Sequence, residues 1–160
     1  MSRFVHNLIE MGVTCSHQIS GCTVKEVEEV VRYAGDFRLP DHYLAFLSLM
    51  GHGAGQLFRG TSIYYPEPLE LNDYAREFAE DDDPDLVTEG RFFFAHHQGY
   101  QLYYFDSQHD GVFMHSEGEG QARLIAVDFM RLLQQEATCQ AGASVTGYTG
   151  KECECAGTSR

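Results

Sequence analysis

Three apolar, aromatic runs crowded between residues 91 and 116 constrain this chain more than any other feature. They are Arg91-Phe92-Phe93-Phe94-Ala95, Tyr100-Gln101-Leu102-Tyr103-Tyr104-Phe105 and Val112-Phe113-Met114, separated only by His96-His97-Gln98-Gly99 and Ser107-Gln108-His109-Asp110-Gly111. Such runs read as strands. Links this short join antiparallel neighbours, because a parallel pair needs a crossover of a dozen or more residues. The middle run is apolar or aromatic at nearly every position. It is therefore a central strand covered in part on both faces, and helices must supply the cover.

The rest of the chain offers those helices. Thr23-Val24-Lys25-Glu26 forms a capping box, and Val24, Val27, Val30 and Val31 follow at helical spacing up to Gly35. A second helix starts at Pro40, with Tyr43, Leu44, Leu47 and Met50 as its apolar stripe and Gly51 as its end. Thr61-Ser62-Ile63-Tyr64-Tyr65 reads as a short strand halted by Pro66 and Pro68. Asn72 can cap a third helix in which Tyr74 and Phe78 lie one turn apart, and Asp81-Asp82-Asp83 reads as a solvated stretch before Pro84. The last helix spans about Val127 to Glu136 through Phe129, Leu132 and Leu133.

The expected fold is α+β: an antiparallel β-meander packed with about four helices in a single domain. An N-terminal segment (1–22) precedes the domain (23–139), and a Gly-, Ser- and Thr-rich tail (140–160) follows it. Phe92, Phe94, Leu102, Tyr104 and Phe105 are the expected sheet core, with Leu44, Leu47, Leu132 and Leu133 over them. A chain of 160 residues with 43% apolar content can build such a core unaided.

Charge narrows the partners. Eleven Lys and Arg against 24 Asp and Glu leave a net of −13, which repels nucleic acid and anionic membranes and favours a basic partner. Between Glu67 and Glu89 ten acids face only Arg76, a net of −9. With no apolar run long enough to span a bilayer and no signal-peptide pattern at the start, a cytoplasmic location is expected.

Chemistry-bearing clusters are sparse. His96 and His97 are adjacent, and as strand residues they point to opposite faces and cannot share one ion, a constraint that a turn relaxes. Cys153-Glu154-Cys155 with Cys15, His17 or Cys22 does not close a tetrahedral shell, and free thiols are expected. Cys15 with His17 lacks an orienting group, and Glu117 with Glu119 sits in a polar loop. Gly51-His52-Gly53-Ala54-Gly55 is not followed by the Lys-Ser or Lys-Thr of a phosphate loop. No catalytic residue, metal or cofactor is expected.

Leu39-Pro40-Asp41-His42-Tyr43-Leu44-Ala45-Phe46-Leu47 followed by Gly51-His52-Gly53, then Phe92-Phe93-Phe94-Ala95 and Gly99-Tyr100-Gln101-Leu102-Tyr103-Tyr104-Phe105-Asp106, and a late Phe129, resemble the SUKH superfamily over roughly residues 24 to 136. The chain departs from the family in having no tryptophan and in placing Gly51 where an asparagine-glycine is usual. The superfamily includes bacterial immunity proteins and a yeast regulator of cell-wall synthesis. The resemblance implies an immunity protein that occludes a cognate toxin, a nuclease among the options; the acidic charge favours a basic one, and a monomer is expected. The alternatives are a non-catalytic regulatory scaffold and, behind it, a small-ligand enzyme using histidines near Gly99. The residues expected to meet the partner are Glu77, Glu80, Asp81, Asp82, Asp83 and Asp85, with Tyr64, Tyr65 and Tyr100.

Overall fold

The computed structural model describes residues 1–145. Among them, five α-helices run over Ser2–Glu10 (α1), Val24–Ala34 (α2), Asp41–Met50 (α3), Leu71–Asp81 (α4) and Phe129–Val145 (α5). Two short strands, Ile19–Ser20 (β1) and Gly53–Ala54 (β2), pair with each other. The main sheet comprises Thr61–Ser62 (β3), Arg91–His97 (β4), Gln101–Asp106 (β5), Val112–Ser116 (β6) and Arg123–Ala126 (β7), in that spatial order and antiparallel throughout. The meander is therefore central, as the short links require.

Alternation along β5 distributes the core to two sides. Phe105 joins Phe92, Phe94, Tyr43, Phe46, Leu47, Phe129, Leu132 and Leu133 in one cluster beneath α3 and α5. Leu102 and Tyr104 join Phe93, Leu71, Ala75, Phe78 and Leu86 in a second cluster beneath α4. The expected core residues of the sheet are all buried, but Leu102 and Tyr104 do not pack under the third and fifth helices. Leu44 is only half-buried, and Phe46 takes the place expected of it. Phe94 stacks on Phe105 at 4.3 Å, Phe129 meets both rings edge-on at 5.6 and 5.8 Å, and Tyr43 lies against both at 5.5 and 5.3 Å.

A register shift between Phe93 and Ala95 lets Phe94 and Ala95 both face the first cluster. Beside it, the Asn72 side chain pairs with the Phe93 backbone in both directions, accepting from its N–H at 2.8 Å and donating to its carbonyl at 2.9 Å. Asn72 thus closes a strand edge that the two-residue β3 is too short to reach. It does not cap α4, whose N-cap is Glu70.

The termini hold more structure than the sequence suggests. Residues 1–22 carry α1, and its Phe4 and Leu8 belong to the first cluster with Val13. The last helix starts at Phe129 behind Asp128, whose carboxylate accepts from Arg131 N–H at 2.7 Å, and runs on past Glu136 to Val145. Residues 146–160, most of the expected tail, lie outside the described residues. The Thr23 capping box of α2 forms as read, with Glu26 bonded back to Thr23. Val24 and Val31, however, are exposed, so only a narrow face of that helix is buried.

Candidate protein-interaction surface

Helix α4 divides its charges and its apolar residues by helical spacing. Leu71, Ala75 and Phe78 face the sheet. Asp73, Tyr74, Glu77, Glu80 and Asp81 face outward, followed by exposed Asp82 and, beyond the next two residues, exposed Asp85. Arg76, the segment's one cation, is engaged by Asp73. No basic residue occupies the last turn of α4.

Asp83 departs from this surface. The carbonyl of Phe78 accepts the N–H groups of both Asp82 and Asp83 at 2.9 Å, which turns the chain sharply off the helix end. The loop then dips toward the sheet, where Leu86 enters the second cluster. Asp83 follows it inward and is buried, with its Oδ2 2.7 Å from Nε2 of His115, itself buried on β6. Its Oδ1 accepts from Asp85 N–H at 3.2 Å. The bonded His115 imidazole is the largest influence on the Asp83 carboxyl and holds it below the ordinary carboxylate value. The expectation of a solvated Asp83 available to a partner is therefore corrected. It anchors the loop that displays its neighbours.

The tyrosines also separate. Tyr100 is 40% exposed at the β4–β5 turn, where Gly99 adopts a φ of 81°. Tyr74, one turn before Phe78 on α4, is 39% exposed and donates its hydroxyl to the Gly99 carbonyl at 3.0 Å. The two tyrosines thus lie at one edge of the acidic helix. Tyr64 is instead drawn into the first cluster, stacked on Phe46 with its hydroxyl donated to the Leu57 carbonyl. Tyr65 donates to Glu29 on α2. Both rings are half-buried and tied to other elements, away from the charged stretch that ends α4.

The other chemical candidates are dispersed. His96 bonds Glu67 at 2.7 Å and its ring neighbours Tyr74, while His97 bonds Thr61 at 3.0 Å and faces Glu136. Their opposed directions follow from the strand. Cys15, Cys22 and Cys139 form no disulfide, and Cys153 and Cys155 lie outside the described residues. Glu119 pairs with Arg123 at 3.4 Å, and Glu117 is exposed beside it. Gly53–Ala54 is a strand and not a phosphate loop. Among the described residues one mixed donor group converges: Cys22, Glu26 and His52. Burial, and after it the Glu26 carboxylate, push the Cys22 thiol up to about 11, so it is protonated at neutral pH and a poor nucleophile.

Neither a search of curated proteins nor a search of solved structures found a match to this chain. The family model described as SMI1 / KNR4 family (SUKH-1) matches residues 21–135, from the residue before Cys22 through the meander and into α5. That span contains both core clusters' sheet residues and the acidic helix. With the larger part of its length matched, the chain belongs to the SMI1/KNR4 (SUKH-1) family.

Proposed function

We propose that this chain is a cytoplasmic immunity protein that binds a basic protein toxin and blocks it by occlusion, without chemistry of its own. Family membership supports a partner-binding role. No described helix is long and apolar enough to cross a membrane.

The observation that carries the reading is the uncompensated acid at the C-terminal end of α4. Helix carbonyls give that end a partial negative charge, so each anion placed there is unfavourable by about 0.3–1 kcal/mol. Glu80, Asp81 and Asp82 all occupy it without a basic residue in the turn. Sequence that opposes local stability is expected where function uses it. A cationic surface docking here relieves the repulsion, and the clustered field accelerates encounter before short-range contacts form. Tyr74 and Tyr100 stand at the edge of the patch to supply apolar and aromatic contact.

The test is stopped-flow association with the product of the adjacent gene, the candidate toxin, for wild type and for Asp81→Asn/Asp82→Asn/Asp85→Asn. Asp83 stays unchanged because it is buried. Steered pairs associate at about 10⁸–10⁹ M⁻¹s⁻¹ at low salt against roughly 10⁵–10⁶ for unsteered ones, so the triple variant should associate about tenfold or more slowly. The dissociation rate should change much less, and added salt should erase the difference. An unchanged on-rate at low salt removes α4 from the interface. Failure of the wild-type chain to bind or protect against that toxin removes the immunity reading itself.

A further inference from the structure

Neither the adjacent histidines nor the cysteine spacings of the sequence close a metal shell. Folding assembles a different set. Cys22 directly precedes the N-cap Thr23 of α2, and the capping box folds the Glu26 carboxylate back over the helix start. His52 arrives from the turn that follows α3.

The backbone holds these two segments in direct contact. Cys22 N–H donates to the Leu47 carbonyl and His52 N–H to the Ser20 carbonyl, each at 2.8 Å. A Cβ on Gly21 would run into the Ser48 carbonyl, and one on Gly51 would run into the Cys22 sulfur and the Leu47 carbonyl. Gly51 itself has an ordinary helical φ of −65°. It is required for space, not for the positive φ that its position after a helix suggests. The close approach leaves the Cys22 sulfur buried against the turn, with His52 and Glu26 on its solvent side.

One donor atom from each of Cys22, Glu26 and His52 lies within 4.8 Å of the other two, and His52 Nε2 is 3.0 Å from Glu26 Oε2. Zinc bound tetrahedrally by one sulfur, one imidazole nitrogen and one carboxylate oxygen places those atoms about 3.3–3.6 Å apart. Donor atoms already within 4.8 Å of one another need to close by no more than about 1.5 Å to reach that spacing. The Tyr65 ring meets the His52 imidazole edge-on at 5.4 Å and limits its swing. The mixed S, N, O set suits a borderline divalent ion and leaves a fourth position for water.

We propose that Cys22, Glu26 and His52 form a binding site for a zinc-class divalent ion that clips the start of α2 to the turn after α3. The ion's two positive charges favour the thiolate and replace the hydrogen bond between His52 and Glu26 with two metal bonds. The role is structural. It lies apart from the acidic end of α4 and is independent of any toxin.

The experiment uses the untagged full chain. Zn²⁺ affinity is measured by competition with a chromophoric chelator, and Co²⁺ serves as the spectroscopic probe. Wild type should take up one equivalent, show the intense visible bands of tetrahedral Co²⁺ with a near-ultraviolet thiolate charge-transfer band, and melt at a higher temperature with Zn²⁺ than without. His52→Gln alters an exposed side chain, and Glu26→Gln keeps the capping box because glutamine serves at that position. Each should weaken Zn²⁺ binding tenfold or more while far-ultraviolet circular dichroism stays native. Cys22→Ser should lose the charge-transfer band, and Cys153→Ser/Cys155→Ser should keep it. Absence of Co²⁺ or Zn²⁺ uptake by wild type, undiminished affinity in His52→Gln, or a band that follows Cys153 and Cys155 would overturn the assignment.

Discussion

Replacing Asp83 with alanine removes the acceptor of a hydrogen bond that lies inside the protein. His115 Nε2 and Asp83 Oδ2 are 2.7 Å apart, and their side chains are only 2% and 7% exposed. No water can take the place of the lost carboxylate without entering the packed interior. Leaving the buried imidazole donor unsatisfied costs about 1–3 kcal/mol, and losing the bond from Asp85 N–H adds about 0.5–1.5 kcal/mol. A total of about 1.5–4.5 kcal/mol follows, at about 2–4 °C of melting temperature per kcal/mol for a chain of this length. Asp83→Asn should lose less, because its amide oxygen can still accept from His115. The assay is urea unfolding followed by circular dichroism or tyrosine fluorescence, since the chain has nine tyrosines and no tryptophan. Asp82→Ala, one residue away and exposed, is the control and should stay within about 0.5 kcal/mol of wild type or gain stability. Equal midpoints for Asp83→Ala and Asp82→Ala would refute the inward role of Asp83.

Three further outcomes test the same structure. Stability conferred by Asp83 is fully present above its unfolded pKa of about 3.9 and is lost as pH falls through its depressed folded value, so wild type and Asp83→Asn should converge in urea midpoint below about pH 4. Parallel curves across that range would show that the carboxylate charge contributes nothing. Asn72→Ala strands both the N–H and the carbonyl of Phe93 at the register shift and should cost about 1–3 kcal/mol, with amide exchange at Phe93 accelerated. Protection unchanged at that amide would mean another group has taken over the edge. Phe94→Ala opens a cavity among Tyr43, Phe105 and Phe129 and should cost about 3–5 kcal/mol in urea unfolding, whereas a loss below 1 kcal/mol would deny it a central place.

Local information sufficed wherever short-range periodicity and chain connectivity leave one solution. The aromatic runs at 92–94 and 101–105 and their short links dictate an antiparallel meander, and the Thr23–Glu26 box sets the start of α2, because each depends on residues a few positions apart. The family resemblance rested on the same local pieces in their order. It could not say how the second core forms, because period-two alternation assigns Leu102 and Tyr104 to the face opposite Phe105 without stating which helix covers that face. Helix α1 carries Phe4, Val5, Leu8 and Ile9 at helical spacing, a pattern legible in Ser2–Glu10, but it has no side-chain cap to mark its start, and that it packs on the core through Phe4 and Leu8 is decided by tertiary structure.

Asp83 shows the limit most sharply. In the sequence it is one of three identical acids. Only the turn at Phe78 and the position of His115, 32 residues later, make it a buried anchor while Asp81 and Asp82 remain at the surface. Cys22 and His52 are likewise thirty positions apart and acquire a common chemistry only because Gly21 and Gly51 let two backbones touch. Side-chain type and spacing determine which local structures are cheapest. Which charged or metal-binding groups meet across the chain is set by long-range packing, where a single turn of backbone decides whether a carboxylate faces water or a histidine.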